Sequence, residues 1–295
     1  MRRFMGAALA SAGLFASASA GAQSTNVHDG IPDILAVDNS MSGSYDLARL
    51  NYGEPSGLSA LPGYSNSTPN ESKYSDTEYG YLNGAGVAIS YMADESLWGV
   101  PIRDIYARAS YRWAYGMTAY NGSTEPPGSV PIQTTDEADV QEVDARLGKG
   151  FEAAPSWLLT PYVGGGFHLW ERKSGYGTPW EEDYKDGYLG AGQMIQYAPA
   201  SRFVVTGNAL IGAMINPSMQ YNQPGYLPVD HGLGGGPVIK AGAEIDWRFW
   251  RRSHFFAGFD YEHFSYIGSP ISFGAMEPQS HTNDAVWSAG LRQSF

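Results

Sequence analysis

The residues with the clearest capacity for chemistry in this 295-residue chain are His263 and Ser265, with Glu277 in the following loop. A serine hydrolase needs a base within hydrogen-bond reach of its hydroxyl and a carboxylate that orients the base. Ser265, His263 and Glu277 are therefore a candidate nucleophile, base and orienting acid. In a strand, residues 263 and 265 fall on the same face. Asp230 and His231 form a second acid–histidine couple in a turn-rich stretch, without a pair of acids opposite it. The six histidines, His28, His168, His231, His254, His263 and His281, show no H-x-x-x-H or other close metal spacing, and the chain has no Cys. No metal site, disulfide or cofactor is expected. Gly164-Gly165-Gly166 and Gly234-Gly235-Gly236 lack the phosphate-loop pattern and read as strand glycines that relieve crowding.

The elements that must carry these residues alternate with a period of two. Over 104–119 the odd positions are Ile105, Ala107, Ala109, Tyr111, Trp113, Tyr115, Met117 and Ala119, while Asp104, Arg108, Ser110, Arg112 and Thr118 lie between them. The parity recurs with Val143, Ala145 and Leu147 against Glu142, Asp144 and Arg146. It recurs with Phe203, Val205, Ala209, Ile211 and Ile215 against Thr206, Asn208 and Asn216. Ile239, Ala241, Ala243, Ile245, Trp247 and Phe249 oppose Lys240, Glu244, Asp246 and Arg248, and Ala285, Trp287, Ala289 and Leu291 oppose Asp284, Ser288 and Arg292. Segments 79–91, 157–170 and 186–198 match in length but hold more Gly, and Gln193 interrupts the apolar face of the last. Such alternation predicts half-buried strands.

A soluble sandwich alternates too, but strand length and aromatic residues toward the strand ends predict the inverted arrangement, with the apolar face on lipid and the charges inside. Charges of both signs on the inner faces are expected to pair across a narrow lumen. Tight links near Ala153, Pro199 and Trp250 alternate with long ones at 120–136, 171–185, 217–236 and 268–282, which read as periplasmic turns and external loops. Nine strands from Tyr79 would leave the termini on opposite sides, so a weaker strand at about 43–52 makes ten; eight and twelve are the alternatives. The predicted fold class is all-β: a transmembrane antiparallel up-and-down β-barrel.

Arg2 and Arg3, the apolar run Phe4 to Phe15 and an A-x-A site ending at Ala22 read as a signal peptide. The expected organisation is a leader at 1–22, a periplasmic arm at 23–42 and a barrel with long external loops at 43–295. The composition agrees: 37 Gly suit curved strands, and 14% aromatic residues suit two interfaces. Lys+Arg 18 against Asp+Glu 30, a net charge of −12, argues against nucleic acid as a partner.

The segment from Ala285 to Phe295 resembles the closing strand of bacterial outer-membrane β-barrels, which end in Phe. Tyr162-Val163-Gly164-Gly165-Gly166-Phe167 and Gly187-Tyr188-Leu189-Gly190-Ala191-Gly192 are similar to paired strands of the porin-like superfamily. The resemblance implies a Gram-negative outer membrane, with its lipids and lipopolysaccharide and the barrel assembly machinery as partners. His263, Ser265 and Glu277 resemble the His-x-Ser pair and following Glu of lipid A deacylase barrels. Tyr266 and Phe273 stand where that family has Asn. Ten strands and the Asp230-His231 couple resemble the omptin proteases. The expectation is a structural, surface-interaction or narrow-pore barrel, with the Ser265/His263/Glu277 esterase as the alternative.

Overall fold

The computed structural model describes residues 40–56, 77–93, 104–123, 131–175, 177, 179–269 and 279–294. The expected leader, most of the arm, Glu277, Phe273 and Phe295 lie outside them. The described residues form β1 (Ser40–Ser56), β2 (Thr77–Ala93), β3 (Ile105–Ser123), β4 (Pro131–Lys149), β5 (Phe151–Ala154), β6 (Trp157–Ser174), β7 (Glu181–Ala200), β8 (Phe203–Asn222), β9 (Val229–Gly232), β10 (Gly234–Trp250), β11 (Ser253–Ile267) and β12 (Gln279–Ser294).

Every pairing is antiparallel, and the ladder closes on itself. It runs β1-β2-β3-β4-β6-β7-β8, passes from β8 to β10, continues through β11 to β12, and returns to β1. The two short segments lie off this path: β5 pairs with β6, and β9 pairs with β8. Ten strands therefore make the ring, and the weak N-terminal strand is one of them. Among the described residues, closure pairs each of the ten ring strands on both sides, as a spanning sheet requires.

The parity sets the facing. On β3, Tyr111, Trp113, Tyr115 and Met117 are exposed while Tyr106, Ala114, Thr118 and Tyr120 are buried inside. The outward set continues around the wall through Val87, Ile89, Val143, Leu147, Val163, Leu189, Ile211, Ile245, Trp287 and Leu291. Ile211 at 70% and Trp287 at 57% exposure would be costly in water, and the continuity of this set from strand to strand over β2 to β12 marks a lipid-facing surface. Gln193 sits within that surface and donates to the Met194 carbonyl at 2.7 Å, which satisfies an amide that lipid cannot.

Two sequence expectations are corrected. Asn216 does not join the lumen face of β8: it takes φ 48° and is exposed, and beyond it Pro217 and Met219 turn inward. The ladder with β7 slips there, between Lys185 and Gly187, so one extra residue reverses the parity. The stretches read as long loops are also partly strand. β3 and β4, β6 and β7, and β8 continue as strands into 120–123, 131–136, 171–174, 181–185 and 217–222. In these extensions the outer face is polar, with Glu137, Asp139, Glu171, Lys173, Glu181 and Asp183, because the strands have left the apolar band while their ladder bonds continue.

At the opposite end the turns are tight. Pro155 and Ser156 join β5 to β6, with Ser156 at φ 70°, and Arg251 at φ 45° begins the link from β10 to β11. Glycines make room for large residues inside. A side chain on Gly166 would meet the Tyr188 ring, and one on Gly192 the Tyr162 ring. The first Gly triplet is thus a packing device, as its sequence form suggests.

Candidate functional site

The lumen is a stack of ion pairs, built because β2, β3, β4, β6, β7, β10, β11 and β12 carry charged residues on their inward faces and the closed ring aims them at one axis. In the middle layer Arg112 and Glu142 are directly opposed on β3 and β4, and Lys240 and Glu262 on β10 and β11. These pairs meet across the barrel. Glu142 bonds both Arg112 and Lys240, Glu262 lies 3.0 Å from Lys240 and 3.4 Å from Arg112, and all four are largely shielded from water. Below them Arg146 reaches Asp144 at 3.0 Å, and the Tyr188 hydroxyl donates to the same carboxylate. Lys240 also lies 4.1 Å from the centre of the Tyr188 ring.

Toward the short turns, Arg292 bonds Asp246 at 2.6 Å and Glu244 at 2.7 Å, and His254 Nδ1 contacts Asp246 at 2.6 Å. Toward the other end, where the strands extend past the apolar band, Arg172 is held by Glu78 at 3.0 Å and Glu182 at 2.8 Å, with Asp136 at 3.9 Å. Its guanidinium lies over the Tyr120 and Trp180 rings at 5.3 and 5.0 Å. Beside this layer Asp186 accepts from the Tyr266 hydroxyl at 2.8 Å and contacts His168 Nδ1 at 3.2 Å. The sequence expectation of pairing inside the barrel thus covers Arg112, Arg146, Lys240 and Arg292. Arg248 differs: it caps the Ser201 carbonyl at 2.7 Å near a turn. Glu78, Asp136, Arg172 and Asp186 join this stack although the sequence reading did not name them, and His168 and Glu182 join it too; each follows the lumen parity of its strand.

On the outer wall, His263 and Ser265 share the outward face of β11, as their spacing requires. His263 Nδ1 lies 2.8 Å from Asn283 Oδ1 on β12, and the Tyr261 hydroxyl donates to the same oxygen at 2.7 Å. With the Asn283 amide oxygen as acceptor, the neutral tautomer that fits this contact is the one with its proton on Nδ1. Ser265 stands opposite His281, with no hydrogen-bond partner among the described residues. The structure therefore brings Ser265 and His263 to one face and sets Asn283 against His263, a contact that sequence spacing did not reveal.

Asp230 and His231 lie on β9 rather than in a loop. Asp230 accepts from Gln220 at 2.7 Å on the exposed side, whereas His231 is buried, so the two side chains diverge. The run Glu181-Glu182-Asp183 also splits: Glu182 faces Arg172 inside, and Glu181 and Asp183 face outward beside Glu171. Lys173 bonds Glu171 and lies 3.6 Å from Glu181 in this patch above the apolar band. Burial pushes the Glu181 carboxyl above its ordinary range and the Glu171 charge adds to this, while Lys173 opposes both.

No family model matches the chain, and no curated protein matches it. Among solved structures, the outer membrane protease OmpT from Escherichia coli matches with a TM-score of 0.56 at 12% identity, over 88% of this chain and 97% of that one. The translocator domain of the autotransporter NalP from Neisseria meningitidis matches at 10% identity and a TM-score of 0.36, over 88% of this chain and 89% of that one. The Pseudomonas putida toluene transporter TodX matches at 10% identity and a TM-score of 0.28, over 90% and 93%. An apolar wall closed around a polar interior is the architecture of such barrels, and the chain is an outer-membrane β-barrel in fold.

Proposed function

We propose that this chain is an integral outer-membrane barrel of a Gram-negative bacterium whose interior is closed to bulk ion flow, and that it serves membrane integrity or surface interaction. The observation that carries this reading is the Arg112–Glu142–Lys240–Glu262 quartet, which joins opposite walls of the ring through side chains. A ten-stranded ring is narrow enough for side chains to fill. Planar-bilayer recording of the folded protein tests it. The expected result is an absence of steady ohmic steps; stable, long-lived steps in the wild type would overturn the closed reading.

A second reading rests on the His263–Asn283 contact. Ser265 with His263, and Glu277 from the following segment, would form an esterase acting on lipid A acyl chains at the outer wall, with Asn283 fixing the histidine tautomer. The test is the mass of lipid A from cells making the wild type or Ser265→Ala. Acyl loss with the wild type alone supports the esterase, and identical lipid A in both excludes it.

A further inference from the structure

Within the stack lies a cavity of about 140 Å³, lined by Arg108, Ser110, Thr206, Asn208 and Asp260 among others. That is several times the roughly 10–15 Å³ that one water needs by this measure. Ten charged side chains line it. Arg112, Arg146, Lys240, Arg292, Glu142, Asp144, Glu244 and Glu262 are engaged in ion pairs. Arg108 and Asp260 are different: neither side chain has a hydrogen bond or an ion pair within 4.0 Å among the described residues. Arg108 Nε is buried without a partner. Arg108 is nevertheless one of the three arginines whose charge reaches Asp260, with Arg112 and Arg146.

A guanidinium and a carboxylate left separate in one low-dielectric cavity each carry a desolvation cost that no direct contact offsets. A simple anion at Arg108 would leave Asp260 bare, and a simple cation at Asp260 would leave Arg108 bare. A molecule with both charges meets both and leaves the net charge of the lumen unchanged. We propose that this cavity is a binding site for a small zwitterion of α-amino-acid size, its carboxylate on Arg108 and its ammonium on Asp260. Asn208 stands beside the site: Arg146 donates to its Oδ1 at 3.5 Å, and its amide nitrogen lies near the Asp260 carboxylate over Gly242. The absence of a side chain on Gly242 is what admits that carboxylate, since a methyl there would meet Asp260 Oδ1 and Asn208 Nδ2. Both are ends of flexible side chains, so Gly242→Ala moves Asp260 without breaking the ladder.

The test is equilibrium dialysis of the full-length folded barrel in detergent against labelled glycine, acetate and methylammonium. Glycine is expected to bind saturably, at least about tenfold tighter than either single-charge compound, the value of one charge-assisted hydrogen bond. Arg108→Gln and Asp260→Asn should each weaken glycine by about tenfold or more, and Gly242→Ala should weaken it too. Asp260→Asn removes an unpaired buried charge, so its folded, heat-modifiable gel band is expected to persist and the loss reads as binding. The proposal is overturned if the folded wild type takes up no glycine saturably, which makes the cavity a water pocket. It is equally overturned if acetate or methylammonium binds within about threefold of glycine.

Discussion

Glu142 is the residue on which the middle of the lumen depends, because it alone contacts both Arg112 and Lys240 from the β4 wall. Glu142→Gln would leave two buried cations sharing Glu262. Removing one partner from a buried ion pair typically costs about 3–5 kcal/mol. Equilibrium unfolding in urea is expected to show a loss of about 3 kcal/mol or more in this variant. A variant as stable as the wild type would mean that water or another carboxylate already serves the two cations. The charges of this layer were legible in the sequence through parity, since Glu142, Lys240 and Glu262 occupy positions opposite in phase to the apolar residues. Which charge meets which was not legible, because the quartet joins residues up to 150 positions apart. Asn283 escaped notice for a related reason: it meets His263 only because β11 and β12 pair in one register.

At the scale of the strand, the apolar alternation was readable wherever one face meets lipid, and it faded where that demand ends. β4 shows the boundary. Val143, Ala145 and Leu147 lie on lipid, and Gln141, Asp139 and Glu137 continue the same face above it with no change of backbone. Sequence reading therefore placed the strand ends too early and the loops too long. The one-residue slip at Asn216 was hidden as well, because Ile215 and Asn216 fit the unbroken pattern. Glycine in strands is more than low side-chain volume. A methyl on Gly84 would collide with the backbone carbonyl of Trp113 on the neighbouring strand, so space for it must come from moving the ladder. Overpacking of this kind costs about 1–3 kcal/mol. Gly84→Ala is expected to lower the unfolding free energy in urea, read by heat-modifiable gel mobility, by that amount, whereas Gly207→Ala, with open space around it, should leave it unchanged.

For the whole molecule, the period-two alternation, the glycine content and the aromatic content have a common physical origin. A chain that must hydrogen-bond all of its backbone inside a bilayer closes its sheet, which puts every second residue on lipid and every other one on the axis. The strand count followed from a parity argument about where the two ends emerge, and the ring of ten bears it out. The central claim is the inversion itself: apolar residues outside, charged residues inside. Tryptophan supplies a direct test, since Trp287 is 57% exposed on the wall and Trp170 is 6% exposed in the lumen, stacked on Tyr184. Two variants, each keeping one of these as sole tryptophan with the other seven replaced by Phe, would be folded into bilayers containing lipids brominated on their acyl chains. The account predicts strong quenching of Trp287 fluorescence and little of Trp170. Quenching of Trp170 with Trp287 unaffected would contradict it.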